Sequence, residues 1–124
     1  MELISESKNY QVLSEYESVF LRIKGTSRLV VIGDFYGDPE LALISPDESF
    51  CIMGGEGVII YDLKEPFQGY RRNQSGQWRE WGREDPDSIA WVSNIVLTDD
   101  KHAEIETEDG QKQILNLKAD PLKD

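Results

Sequence analysis

The chain has 124 residues and a formal net charge of −11, from 13 lysines and arginines against 24 aspartates and glutamates. That length predicts one domain, 1–124, able to bury a core without metals or disulfides. A hydrophobic fraction of 39% with three Trp, five Tyr and four Phe excludes a disordered chain. The acidity disfavours nucleic acid and anionic membranes as partners. It favours basic proteins or serves solubility alone.

The single Cys51 excludes an intramolecular disulfide and a multi-cysteine metal site. Phe50 and Ile52 flank it, so a buried structural thiol is expected. The opening Met-Glu-Leu-Ile-Ser-Glu-Ser has neither a basic region nor a long apolar stretch, and no run approaches the ~20 apolar residues of a membrane span. A cytoplasmic location is expected.

Taken in chain order, Met1 to Ser18 is ambiguous: Val12, Leu13, Tyr16, Val19 and Phe20 have helical spacing, whereas Val19, Leu21 and Ile23 alternate as in a strand. A strand over about Val19–Lys24 is preferred, with less regular structure before it. Gly25-Thr-Ser27 closes a hairpin onto Leu29–Ile32, whose continuous apolar run predicts a central strand covered on both faces. Gly33, Gly37 and Asp38-Pro39 mark turns. Strands are predicted over Glu40–Ile44, Phe50–Met53 and Val58–Tyr61, with turns at Ser45-Pro46-Asp47-Glu48 and Gly54-Gly55-Glu56-Gly57. Asn73-Gln-Ser-Gly76 reads as the turn of a hairpin between Phe67–Arg72 and Gln77–Gly82. Asp87 is placed to cap one helical turn through Ser88 and Ile89. Ala90–Thr98 follows as a strand with Trp91, Ile95 and Leu97 on one face. In His102–Thr107, His102, Glu104 and Glu106 face one way and Ala103 and Ile105 the other. Asp109-Gly110 is a hairpin signal leading into Gln111–Leu117, and 118–124 is predicted as a frayed tail.

Strands recurring every ~8–12 residues predict a mainly β chain. The expected architecture is a single antiparallel β-sandwich or barrel-like meander with at most one or two short helices, ending in a three-stranded meander. Val30, Ile32, Ile52, Ile59 and Trp91 are the expected core.

No catalytic set emerges. Gly54-Gly55-Glu56-Gly57 is followed by Val-Ile-Ile-Tyr rather than by the Lys-Ser/Thr and helix of a phosphate loop. The spacing of Asp34, Asp38 and Glu40 does not match a calcium loop. His102 is the only histidine, and it shares a strand face with Glu104 and Glu106. A Ser–His or Cys–His mechanism would have to use it. The expectation is a non-enzyme without metal or cofactor.

Two stretches are candidates for binding. Between Arg28 and Lys64 there is no lysine or arginine but seven acids; Asp34, Asp38, Glu40, Asp47, Glu48 and Glu56 lie at turns and strand ends, where a basic partner could meet them. The second stretch interleaves Tyr70, Trp78 and Trp81 with Arg71, Arg72, Arg79 and Arg83. It reads as cation–π packing within the fold, as a protein interface, or as a platform for single-stranded nucleic acid that the overall charge opposes.

Four phrases add a resemblance: Val31-Ile-Gly-Asp-Phe-Tyr-Gly-Asp38, Gly54-Gly-Glu-Gly57, Tyr61-Asp-Leu-Lys-Glu-Pro-Phe67 and Gln77-Trp-Arg-Glu-Trp-Gly-Arg83. Together, over Val31 to Arg83, they resemble small bacterial immunity proteins of polymorphic toxin and contact-dependent inhibition systems. The resemblance implies a cytoplasmic inhibitor that neutralises a cognate toxin domain, often a basic nuclease, and it transfers no site residues. A small β-barrel that binds a small-molecule ligand in its interior or mouth, without catalysis, is the alternative.

Overall fold

The computed structural model describes residues 1–39 and 41–118. Eleven strands follow in order: β1 (Glu2–Glu6), β2 (Tyr10–Glu15), β3 (Ser18–Ile23), β4 (Leu29–Asp34), β5 (Leu41–Ile44), β6 (Phe50–Gly55), β7 (Gly57–Asp62), β8 (Trp78–Trp81), β9 (Val92–Leu97), β10 (His102–Thr107) and β11 (Lys112–Asn116). They form three antiparallel sheets, β1-β2-β3-β4, β5-β6-β7-β8 and β11-β10-β9. The chain is mainly β, as its turn spacing predicts, and the sheets do not close into a barrel. Among the described residues there is no helix, and hence none long and apolar enough to cross a membrane.

The β5–β8 sheet is the middle layer. Strands β6 and β7 are apolar at successive positions, so both of their faces need cover. Cys51, Met53, Ile59 and Tyr61 point to one side, into a core completed by Val12, Val19, Leu21 and Ile32 of the β1–β4 sheet. Phe50, Ile52, Val58 and Ile60 point to the other, against Val92, Ile95, Ala103, Ile105 and Leu115 of the β9–β11 sheet. The register explains the sorting: Cys51 pairs with Tyr61 and Met53 with Ile59, while Ile52 pairs with Ile60. Each cross-strand pair therefore belongs to one core. Cys51 is fully buried, and that burial pushes its thiol up to about 12, so it is the inert structural cysteine expected.

Several expectations are corrected. Leu29–Ile32 lies in β4, an edge strand, and Leu29 is exposed. The strands covered on both faces are β6 and β7. The edge of β4 is instead met by the connection after β7, where the Tyr70 N–H donates to the Val31 carbonyl at 2.8 Å. Residues 1–18 contain two strands, β1 and β2, rather than irregular chain. The hairpin Phe67–Arg72 with Gln77–Gly82 does not form. Residues 67–72 are not a strand, and β8 pairs with β7 through Val58↔Trp81 and Tyr61↔Trp78. No helical turn follows Asp87. A turn forms two residues earlier, with Ser88 N–H donating to the Asp85 carbonyl and Asp87 N–H to the Asp85 carboxylate. Trp91 is exposed, not core, and Val30 is half-buried; Ile32, Ile52 and Ile59 are fully buried as expected. Of the predicted tail 118–124, residues 119–124 lie outside the described residues, as does Glu40.

Gly54 sets the spacing between the middle sheet and β9. A Cβ placed there would lie 2.7 Å from Ile95 Cδ1 and 3.0 Å from Val92 Cγ1. Gly54→Ala is expected to lower stability by ~1–3 kcal/mol through overpacking. Urea unfolding of the variant measures this, and an unchanged midpoint would show that the second core has slack.

Candidate protein-binding surface

Because consecutive strands reverse direction, the connections sort to two ends of the stacked sheets. The β2–β3 turn, the 35–39 segment, the β6–β7 turn, the 82–91 connection and the β10–β11 turn gather at one end. The β1–β2, β5–β6 and β9–β10 turns lie at the other. A six-residue strand such as β6 spans about 17–20 Å between them. The six acids expected to meet a basic partner are therefore divided. Asp34, Asp38 and Glu56 share the first end, Asp47 and Glu48 lie at the second, and Glu40 is outside the described residues.

At the second end the acids serve their own turns. Asp47 accepts from the Ser45 hydroxyl at 2.8 Å, the Ser49 N–H at 3.0 Å and the Ser49 hydroxyl at 2.7 Å. The Ser49 hydroxyl, then Ser45, hold its carboxyl down at about 2. Glu48 accepts from the Ser7 hydroxyl and from the Asn9 N–H at 2.9 Å, tying the β5–β6 turn to the β1–β2 turn, and these bonds hold it below the ordinary carboxylate range.

The first end is built on Glu56. This residue sits at the apex between β6 and β7, is 8% exposed, and bridges to Trp91. Gly57 after it has φ of 72°, and a Cβ there would lie 2.7 Å from Arg83 Cβ, so the apex needs glycine for both conformation and space. Glu56 Oε1 accepts the Tyr36 N–H at 2.7 Å. Arg72 donates to both of its oxygens, from Nη2 at 2.9 Å and Nη1 at 3.2 Å. Arg83 Nη2 lies 3.8 Å from the same carboxylate and donates to the Asp34 carbonyl at 2.6 Å. Burial pushes the Glu56 carboxyl up, but the Arg72 hydrogen bond, the Tyr36 N–H and the charges of Arg83 and Arg72 outweigh it, so the net shift is downward.

Arg83 is itself enclosed. Its side chain is 3% exposed, its Nε lies 3.2 Å from Glu80, and its guanidinium sits 4.8 Å over the Phe35 ring. Tyr70 donates to the same Glu80 at 2.6 Å, and Trp78 is buried between Tyr61 and Tyr70. Arg79 pairs with Asp62 at 3.3 Å, and Trp81 is half-buried against the second core. Most of the aromatic–basic stretch is thus turned inward, while Arg71 is exposed. Asp34 and Glu56 of the acidic stretch and Arg72 and Arg83 of the aromatic–basic stretch, two separate candidates in the sequence, neutralise each other.

What this network presents outward is aromatic and acidic. Tyr16, Tyr36 and Trp91 are 85%, 72% and 42% exposed. Tyr36 is held from two sides, its own N–H on Glu56 and the Gly37 N–H on Glu17 at 2.6 Å. Trp91 is held by its carbonyl, which accepts the Glu108 N–H at 2.8 Å. A cleft of about 320 Å³ opens between them, lined also by Asp38, Leu41, Val92 and Glu108. A second depression of about 760 Å³ runs from Trp91 and Glu108 to Trp81, Ile89 and Asp109. Exposed acids line them, Asp38 and Glu108 the first and Glu108 and Asp109 the second, and Glu15, Glu17 and Asp85 are exposed on the connections of the same end. Sequence reasoning did not single out Tyr16, Tyr36 or Glu108. The available signal was a large aromatic inside each of two acid-rich turns, Glu15-Tyr-Glu17 and Asp34-Phe-Tyr-Gly-Asp38.

Among known protein families, curated proteins and solved structures, none matches the chain.

Proposed function

We propose that this chain is a binding protein that seats its Glu56 end on a basic protein surface and masks it, the role of an immunity partner toward a basic toxin domain. One observation carries the reading: three exposed aromatics stand among exposed acids at a single end, and the arginines reaching that end, Arg72 and Arg83, are directed to Glu56. Tyr and Trp are favoured at protein interfaces because rigid rings bury much area at little entropic cost. Surrounding acids add charge complementarity, which speeds encounter and rejects acidic partners. The resemblance to immunity proteins points the same way and rests on the four sequence phrases alone.

The test is association kinetics with a basic protein encoded beside this chain's gene. Association is expected to slow as salt rises past physiological strength, where exposed charges are screened beyond ~8 Å. Neutralising Glu17, Asp38, Glu108 and Asp109 together should slow it about tenfold or more, within the range that electrostatic steering supplies. Neutralising Asp47 and Glu48, at the far end, should leave it nearly unchanged. Salt-independent association, or equal effects of the two sets, would reject this end as the docking surface.

A further inference from the structure

We propose that the cleft between Tyr36 and Trp91 receives one lysine or arginine side chain of a basic protein partner. This deepens the reading above and rests on it. The cleft has side-chain dimensions, about 320 Å³, at the low end of ligand-sized pockets. Two aromatics, Tyr36 and Trp91, are in its lining, and the π face of such a ring attracts a cation within about 6 Å. Leu41 and Val92 line it as well, and apolar atoms of that kind suit the aliphatic stem on which an ammonium or guanidinium is carried. Asp38 and Glu108 supply the negative charge.

The local hydrogen bonding narrows the ligand further. The Tyr36 and Gly37 N–H groups, which could otherwise cradle an anion, are already occupied by Glu56 and Glu17. The Glu56 carboxylate is in turn matched to Arg72 and Arg83, so it leaves no uncompensated charge to be met at that point. What remains open is aromatic surface with the carboxylates of Asp38 and Glu108. That set fits an alkyl cation and repels phosphate and carboxylate ligands.

The probes are tetralysine, tetra-arginine and tetraglutamine peptides titrated into the full chain, read by the Trp91 indole N–H resonance assigned with Trp91→Phe. Saturable movement of that resonance by the lysine or arginine peptide, with Trp78 and Trp81 unmoved and no response to glutamine, is the expected result. The two cationic peptides separate an ammonium from a guanidinium preference. Tyr36→Ala should weaken binding about 2- to 30-fold, the span a cation–π contact provides from exposed to desolvated sites, and Glu108→Gln should weaken it severalfold. Trp91→Ala, followed by the Tyr36-loop amide resonances, should behave as Tyr36→Ala does. Equal response to glutamine, or binding lost on Glu108→Gln yet untouched by both aromatic substitutions, would overturn the proposal in favour of a diffuse acidic patch. If a whole basic partner binds and neither aromatic substitution weakens it, the cleft assignment fails while the masking role stands. If the peptides bind as described and no basic protein does, the masking role fails while the cleft stands.

Discussion

Glu56→Ala is expected to lower the stability of the chain by ~3–5 kcal/mol, the cost of breaking a buried ion pair by removing one partner. The size follows from what is left behind. Arg83 is almost wholly buried and would keep only Glu80 as an ionic partner, with its Nη1 already lacking a hydrogen bond. Arg72 would lose both of its bonds to the carboxylate, and the Tyr36 N–H would lose its acceptor. Removing the stranded charge should recover part of the loss, so Arg83→Met in the Glu56→Ala background is expected to be more stable than Glu56→Ala alone. Urea unfolding of the unsubstituted chain, Glu56→Ala, Arg83→Met and the double variant measures the coupling. A Glu56→Ala effect under about 0.5 kcal/mol, the range of surface changes, would show that the network is not a stabilising unit.

The same carboxylate should give the fold part of its acid sensitivity. Its folded-state pKa lies below the ordinary value of 4.5, so its stabilisation is fully present above that value and is lost as pH falls through the depressed one. Glu56→Gln keeps the shape, removes the titration, and should flatten stability against pH below about 4.5. Asp47, Glu48 and Asp109 are also depressed, and their contribution is common to both proteins. The difference between the two curves therefore isolates Glu56.

How far the sequence showed this depends on the strand. The alternation in His102–Thr107 is visible because one face of β10 is buried and the other is not; Ala103 and Ile105 are fully buried and their neighbours half-exposed. Asp109-Gly110 is visible because its turn needs a left-handed residue, and Gly110 has φ of 86°. The first two strands were hidden by their own apolarity. Val12 and Val19 point into the core while Leu13 and Phe20 belong to neither core cluster, and apolar residues on both faces imitate a helical period. Trp91 was misplaced by a bulge. Asn94 pairs with Glu106 and Val92 with Thr107, so the extra residue, Ser93, shifts the phase. Val92 and Ile95 consequently both point inward, and Trp91 turns out to the surface where the cleft uses it. The joining of Asp34 and Glu56 to Arg72 and Arg83 had no local signature, because it depends on the docking of the 63–77 connection along β4.

The middle sheet yields the second large effect. Ile59→Ala and Ile60→Ala are each expected to cost ~2–5 kcal/mol, although the residues are neighbours whose side chains enter different cores. Both are fully buried, and neither site has an exposed side through which it could relax into solvent. If β7 were covered on only one face, one of the two changes would fall within about 0.5 kcal/mol. Both cores share β6 and β7, each of which supplies residues to both, so neither core should survive loss of the other. Each variant is expected to unfold in a single transition at a lower urea midpoint, with tryptophan fluorescence and far-UV circular dichroism coincident. Trp78 reports on the first core and Trp81 on the second, so their signals separated by Trp→Phe substitution would expose any decoupling. The double variant combines two losses whose sum approaches the ~5–15 kcal/mol total of an ordinary domain, and it should be largely unfolded at room temperature. Two resolved transitions in either single variant would mean that the outer sheets fold on the middle one independently.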